Sequence, residues 1–251
     1  MAALSDLGRP YVSVIIPAFN EATRIVPTLR EVVGFLQDKP FQWEVIVVDD
    51  GSTDDTARIV DDWSASNSAV KLERAPHRGK GWAVRRGMLS ATGANRFMCD
   101  ADLAMPISGL DRFLDQMDQG YDVVVGSREI LGARRFDEPY YRHAMGRVFN
   151  WMTRLFAVRG FQDTQCGFKC FSERVATRLF NLQTTAGFGF DVEILFLAKK
   201  KGLKMLEMPI DWRHQPLSKV RPGLDSALMV RDMVRVRWND LRGIYNRPAE
   251  D

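Results

Sequence analysis

Short apolar runs and longer amphipathic stretches alternate along most of this chain. Residues 11–19, YVSVIIPAF, form a β-branched run ending near Pro17, and in the stretch after it Ile25, Leu29, Val32, Val33 and Leu36 share one helical face. That pattern predicts a strand followed by a helix, and it repeats. WEVIVVDD (43–50) leads into STDDTARIVDDW, where Ser52 and Asp55 have the spacing of a capping box. A third strand at 70–74 passes through HRGKG into the helix WAVRRGMLSA, and NRFMCDAD and YDVVVGSR (121–128) read as the fourth and fifth strands. Further on, FQDTQCGFKCF (161–171) alternates as a strand does, GFGFDVEILFLAKKKG reads as a helix and LKMLEMPI as another strand. Strands written as continuous Val/Ile runs between helices imply an α/β fold with a mainly parallel sheet covered on both faces.

In such sheets ligands bind beyond the carboxyl ends of the strands. Polar residues gather at those ends. Glu21 follows the first strand, Asp49 and Asp50 end the second, Arg78 and Lys80 follow the third, Asp100 and Asp102 end the fourth, and Ser127 and Arg128 end the fifth. Within FMCDADLAMP (97–106), strand geometry would turn Asp100 and Asp102 to the same side. Two carboxylates so close repel unless a cation sits between them. Hard cations such as Mg²⁺ and Mn²⁺ take oxygen ligands and arrive with phosphate oxygens. A pair of solvated loop acids or helix caps is the plain alternative.

Asp49 and Asp50 are adjacent and would point to opposite faces, so only one meets a ligand. Asp50 is the candidate for accepting hydrogen bonds from a ribose or base, with a structural cap as the other reading. HRGKG has glycines that admit a close approach and a lysine at a helix start, which favours anions. It lacks the pattern of an ATP-hydrolysing phosphate loop.

Composition narrows the class. The chain has 251 residues, 45% hydrophobic and 27% charged, with a formal net charge of +3, which suits a folded protein with a substantial core. No apolar run approaches the roughly 18 residues of a membrane span. MAALSDLGRP lacks the basic and apolar regions of a secretory signal. Cys99, Cys166 and Cys170 are an odd number without zinc-ligand spacing, as expected of reduced thiols in a cytoplasmic protein.

Charge is uneven in the second half. Arg128, Arg134, Arg135, Arg142, Arg147, Arg154 and Arg159 interleave with Phe136, Tyr140, Tyr141, Phe149, Trp151 and Phe156. This suits a phosphate on an apolar tail, a nucleic acid, or a solvated helix with snorkelling arginines. In SALMVRDMVRVRWNDLRGIYN, apolar residues including Trp238 alternate with Arg231, Arg235, Arg237 and Arg242. Such a segment fits either an interfacial membrane contact or a terminal helix packed on the core.

With VSVIIPAFNE, VIVVDDGSTDDT, RGKGWAVRRGM, DADLAMP, VVVGSR, DTQCGFKCF, FDVEILFLA and SKV (218–220) in this order, the chain resembles the family 2 glycosyltransferases of GT-A fold over residues 11–220. It is most similar to their polyprenyl-phosphate branch, especially the dolichyl-phosphate β-glucosyltransferases. The resemblance implies a Rossmann-like three-layer α/β/α domain over 11–222, after a tail at 1–10 and before an amphipathic basic helix and tail at 223–251. It implies that Pro17, Phe19, Glu21 and Asp50 hold the nucleotide, with Lys80 beside them, and that Asp100 and Asp102 hold Mg²⁺ or Mn²⁺ against the diphosphate. Arg128 and Arg142 match positions that bind a lipid phosphate, and Lys219 is a further phosphate candidate. The chain departs from the mannose synthases at Ala104, where they often carry a ligand glutamine, and from eukaryotic glucosyltransferases in lacking an amino-terminal membrane helix.

The expected activity is inverting, single-displacement transfer of a hexose from a UDP-sugar to a polyprenyl or dolichyl phosphate. DTQCGFK points to glucose as the sugar. The expected location is the cytoplasmic face of a membrane, with peripheral attachment and no nucleic-acid partner. An acceptor phosphate is already anionic and needs positioning rather than a general base. The alternatives are transfer from GDP-mannose, or transfer to a soluble hydroxyl acceptor with Asp163 or Asp191 as base. From another class comes a non-catalytic RNA-binding module built on the arginine and aromatic segment. Oligomeric state is left open.

Overall fold

The computed structural model describes residues 8–137, 160–215 and 224–246. Its strands are β1 (Val12–Ala18), β2 (Trp43–Asp49), β3 (Val70–Arg74), β4 (Asn95–Met98), β5 (Val123–Ser127), β6 (Arg134–Phe136), β7 (Lys169–Ser172), β8 (Met205–Pro209) and β9 (Asp211–Arg213). The helices are α1 (Ile25–Gln37), α2 (Thr56–Ser66), α3 (Lys80–Ser90), α4 (Leu110–Asp118), α5 (Glu173–Leu182), α6 (Phe190–Lys200) and α7 (Leu224–Leu241).

The main sheet runs β3-β2-β1-β4-β7-β5-β8, and β6 pairs with β9 in a small second sheet. Parallel pairing joins β1 to β2 and β4, β2 to β3, and β5 to β8. Only β7 runs the other way, wedged between β4 and β5. Because β7 reverses direction twice over, β4 and β5 still point the same way. The carboxyl ends of β1 through β5 and of β8 therefore open on one edge.

Both faces of the sheet are covered, which is why β1, β2 and β5 read as near-continuous apolar runs. On one face Val12, Val14 and Ile16 pack with Ile25, Leu29, Val32 and Leu36 of α1 and with Leu110 and Phe113 of α4. On the other, Ile15, Ile46 and Val48 meet Ala83, Val84 and Met88 of α3, while α5, α6 and Met233 and Val236 of α7 extend that core. The result is the three-layer α/β/α arrangement expected from the periodicity. Among the described residues no helix is long and apolar enough to cross a membrane.

Two local readings are corrected. Ser52 and Asp55 do not form a capping box: α2 starts at Thr56, and the Ser52 hydroxyl instead accepts the Asn20 amide at 2.8 Å. The competing partner is a neighbouring strand end, which short-range spacing does not reveal. The alternation of 161–171 becomes strand only from Lys169, because Phe161–Phe168 leaves the sheet to build loop structure around the edge.

Close approach of α3 to its surroundings is possible because its first turns carry glycine. A Cβ on Gly81 would lie 2.7 Å from Cβ of Phe190 and 2.8 Å from the Gly187 carbonyl oxygen. Alanine favours a helix interior over glycine by about 1 kcal/mol, but the backbone carbonyls here cannot move aside. Gly81→Ala is expected to lower unfolding free energy by about 1–3 kcal/mol net, the usual cost of overpacking, measured by urea denaturation.

Candidate active site at the carboxyl edge of the sheet

β4 ends at Met98, and the Cys99 amide makes its last bond to β1, at 2.9 Å from the Ile15 carbonyl. Asp100 and Asp102 therefore stand in the turn beyond the strand rather than within it. Leu103 has φ 44°, and its amide donates to the Asp100 carbonyl at 3.2 Å. The strand rule for their shared direction is thus replaced by a turn. The carboxylates nonetheless feel each other: burial and then the Asp100 charge push the Asp102 carboxyl above the usual range, against the Ala104 amide that donates to it at 3.1 Å.

Asp100 is confined on two sides. A Cβ on Gly167 would lie 1.9 Å from Oδ2 of Asp100, so only glycine fits against this carboxylate. On Oδ1 sits the ammonium of Lys80, at 2.6 Å. Lys80 is the first residue of α3, presented by Gly79, whose φ of 113° and whose Cβ position, 2.8 Å from the Ala186 carbonyl, both require glycine. Burial opposes its charge, but Asp100, Asp191 and Asp102 together hold the ammonium's pKa above the ordinary lysine value.

Behind this pair lies a second one. Lys169, fully buried on β7, donates to Asp191 at 2.5 Å and to the Cys166 carbonyl at 2.5 Å. Asp191 opens α6; burial raises its carboxyl above the ordinary range although Lys169 and Lys80 pull it back. Asp102, Asp100, Lys80, Asp191 and Lys169 thus form an electrostatically linked cluster of three acids and two lysines drawn from two strand ends and two helix starts. Sequence reading did not find Lys169 or Gly167, since nothing in FQDTQCGFKCF distinguishes a site lysine from a surface one.

Two carboxylate oxygens in a rigid pocket suit a hard divalent cation, and Gly167 provides the clearance that lets Asp100 stand there. Among the described residues no third His, Cys, Asp or Glu completes a protein-only cage. Such a pair matches cations that draw their remaining ligands from phosphate and water.

Around β1 and β2 the arrangement is more polar. Asp50 is buried, and its carboxylate accepts the backbone amides of Arg78 at 3.0 Å and Gly79 at 2.9 Å. His77 Nδ1 lies 2.8 Å from the same carboxylate, and the His77 ring stacks on Phe19 with centroids 4.1 Å apart. Asp50 therefore shapes the HRGKG loop and, through it, the start of α3. Asp49 turns the other way and accepts the Ser52 amide at 3.2 Å. Glu21, mostly buried, accepts Arg24 Nε at 2.7 Å, and Pro17 lies in β1 beside Val48.

At the end of β5, Arg128 donates through Nε and Nη2 to Asp163 at 2.6 and 2.9 Å, and its backbone amide adds a bond of 3.1 Å. Its guanidinium also lies 5.5 Å from the centre of the Trp212 ring. Burial works against the Asp163 charge, yet Arg128 and these amides hold its carboxyl below the usual range. Ser127 is buried and its hydroxyl accepts the Glu129 amide at 3.2 Å, a local turn contact. Arg142, Lys219 and the arginine and aromatic segment up to Arg159 lie outside the described residues, apart from Arg128, Arg134, Arg135 and Phe136.

The pattern described as Glycosyl transferase family 2 matches residues 13–180. A dolichyl-phosphate β-glucosyltransferase of Dictyostelium discoideum is 35% identical over 253 residues, covering 94% of this chain and 76% of that one. One of Drosophila melanogaster is 38% identical over 259 residues, covering 94% and 78%. Among solved structures, mannosyl-3-phosphoglycerate synthase from Rubrobacter xylanophilus superposes with a TM-score of 0.69 at 19% identity, covering 96% of this chain and 77% of that one. Glucosyl-3-phosphoglycerate synthase from Mycobacterium tuberculosis, in complex with Mn²⁺, UDP-glucose and glycerol 3-phosphate, gives 0.61 at 20% identity, covering 91% and 80%. The shared fold is GT-A.

Removing one partner of a fully buried ion pair costs roughly 3–5 kcal/mol. Arg128 keeps partial solvent contact, with its side chain 21% exposed. Asp163→Asn is therefore expected to lose less, about 2 kcal/mol at neutral pH, in urea denaturation. A carboxyl with a depressed folded-state pKa stabilises above its unfolded pKa and stops doing so as pH falls through the folded value. The gap between wild type and variant should accordingly close as pH drops below about 4.

Proposed function

Because the chain belongs to glycosyl transferase family 2, we propose that it moves glucose from UDP-glucose to a polyprenyl phosphate of the dolichyl type, with inversion, at a membrane surface. The observation that carries the choice of acceptor is how Asp163 and Asp191 are engaged. Asp163 is bidentate with Arg128 and depressed in pKa, and Asp191 is buried on Lys169. A hydroxyl acceptor would need one of them as base. A phosphate acceptor brings its own anionic oxygen and needs only a cation to orient it, which Arg128 offers. The names of the relatives support the same acceptor and sugar, and with them glucose rather than mannose. An RNA-binding module has no place in an enzyme family.

On this reading Pro17, Phe19, Glu21 and Asp50 hold the nucleotide. The Phe19–His77 stack offers a flat aromatic wall for the base, and Asp50 sets the loop that carries Lys80 toward the diphosphate. Asp100 and Asp102 would hold Mg²⁺ or Mn²⁺, which would supply positive charge against the negative charge developing on the departing UDP. A Mn²⁺ complex of a protein sharing this fold supports a divalent cation here. Arg128 positions the acceptor oxygen for attack at the anomeric carbon, joined by Arg142 and Lys219. Attack from the side opposite UDP inverts the configuration in one displacement.

Attachment to the membrane is assigned to α7. Met229, Met233 and Val236 face the core, while Val230, Val234, Trp238 and Leu241 are exposed, Trp238 at 60% and Leu241 at 82%. These four recur at spacings of 4, 4 and 3 residues, so they form one stripe, with exposed Arg231, Arg235 and Arg242 along its border. An apolar row bordered by arginines suits the headgroup region of an anionic leaflet, as at a cytoplasmic face.

Transfer is tested with a panel of radiolabelled UDP- and GDP-sugars and polyprenyl phosphate in detergent, with Mn²⁺ or EDTA. UDP-glucose should label the lipid phase, EDTA should abolish the label, and Asp102→Ala should lower the rate about 10²-fold or more. Label from GDP-mannose alone would overturn the donor, and label only on a soluble hydroxyl acceptor would overturn the acceptor.

Membrane attachment is tested by sedimentation with vesicles. Wild type should pellet with phosphatidylserine-containing vesicles and much less with pure phosphatidylcholine. Val234→Glu/Trp238→Glu should cut the bound fraction about tenfold without changing the melting temperature, since both side chains are exposed. Equal pelleting of the double variant would overturn the assignment to α7.

A further inference from the structure

We infer that Lys80 is a resident counter-ion for Asp100 that makes divalent-cation binding depend on the donor's diphosphate. This rests on the reading of Asp100 and Asp102 as the cation's ligands. The Lys80 ammonium lies 2.6 Å from Oδ1 of Asp100, while Gly167 backs the other oxygen so closely that no Cβ would fit between them. Asp100 thus stands between the lysine and the Gly167 backbone. A divalent cation on this carboxylate therefore meets a positive charge already in contact with it, and the two cations repel.

The conflict ends when the ammonium has another anion to go to. Asp191, whose charge also acts on Lys80, already holds Lys169 at 2.5 Å. A diphosphate arriving at the start of α3 supplies fresh oxygens within the sweep of the four-carbon lysine stem, at the end of a helix that favours anions. Lys80 then passes from Asp100 to phosphate, and Asp100 passes to the cation. Diphosphate binding thus tightens cation binding through Lys80 in addition to any direct phosphate ligation. By linkage the cation tightens the diphosphate by the same factor. Lys80 is in this sense a positioning residue that keeps cation and donor together.

The test is Mn²⁺ binding to the full chain, followed by the loss of the free-ion electron paramagnetic resonance signal, with and without UDP. Wild type, Lys80→Met, Lys80→Gln and Arg78→Met are compared, and melting curves establish that each is folded. Arg78 serves as a charge control, because its guanidinium lies over the Trp82 ring, 4.7 Å from the ring centre, on the same loop. Without UDP, both Lys80 variants should bind Mn²⁺ about five- to tenfold more tightly than wild type, and the gain brought by UDP should shrink. Arg78→Met should bind as wild type does. Unchanged or weaker Mn²⁺ binding in both Lys80 variants overturns the inference and leaves the metal site standing. Equal tightening by Arg78→Met reduces it to bulk charge and overturns it too. Failure of every protein, including wild type, to bind Mn²⁺ even with UDP removes the metal site itself and the inference with it.

Discussion

The like-charge repulsion between Asp100 and Asp102 is the constraint around which the catalytic edge is arranged. Two carboxylates in a partly buried turn, one of them with a raised proton affinity, are stable only with cations at hand. The fold brings those cations from far along the chain: Lys80 from the start of α3 and Lys169 from β7, with Asp191 at the start of α6 paired to Lys169 and felt electrostatically by Lys80. The antiparallel insertion of β7 between β4 and β5 serves this arrangement, since it places Lys169 and Gly167 next to the end of β4. The glycines follow from the same crowding. Gly167 clears space for Asp100, and Gly79 and Gly81 let α3 come close enough for its first lysine to reach it.

Much of this was legible in the sequence because strand ends announce themselves. A Val/Ile run that stops in Asp-Asp or Asp-Ala-Asp marks both a buried strand and the polar edge beyond it, and the parallel order then gathers such ends. What escaped was the pairing. Asp50 reads as a free ligand for a ribose, yet its oxygens accept two amides from a loop nearly thirty residues away. Ser52 has the spacing of a cap and instead serves Asn20. Local patterns report which residues are polar and where; they do not report which distant amide or ammonium will claim them. The i and i+2 argument for Asp100 and Asp102 failed for a related reason. The last bond of β4 to β1 is made by the Cys99 amide, and the chain turns before the aspartates are reached.

α7 shows how two readings that seem exclusive are both met by one helix. Its Met233 and Val236 join the core with α6 and Met229 is buried beside them in sequence, while its Val230, Val234, Trp238 and Leu241 remain outside. The imperfect amphipathic register of the sequence is what a helix with two apolar rows must look like. Arginines occupy the spaces between the rows, where their stems pack along apolar surface and their charges stay in water. Arg237, for example, lies 5.5 Å from the centre of the Phe196 ring.

The proposed acceptor chemistry sets a further demand that the Arg128–Asp163 pair answers. A phosphate oxygen that must attack carbon needs to be held, but a bare guanidinium held tightly against it would draw off the electron density that makes it nucleophilic. Asp163 takes the Nε and Nη2 donors of Arg128 and offsets its charge, and Trp212 borders the guanidinium. On that proposal, what would reach the acceptor is a cation fixed in direction and moderated in strength. Orientation rather than charge would then be the main contribution of this residue, in keeping with a reaction whose nucleophile arrives already ionised. A hydroxyl acceptor would place the opposite demand on the same pair, a carboxylate available to take a proton, whereas Arg128 holds the Asp163 carboxyl below the usual range.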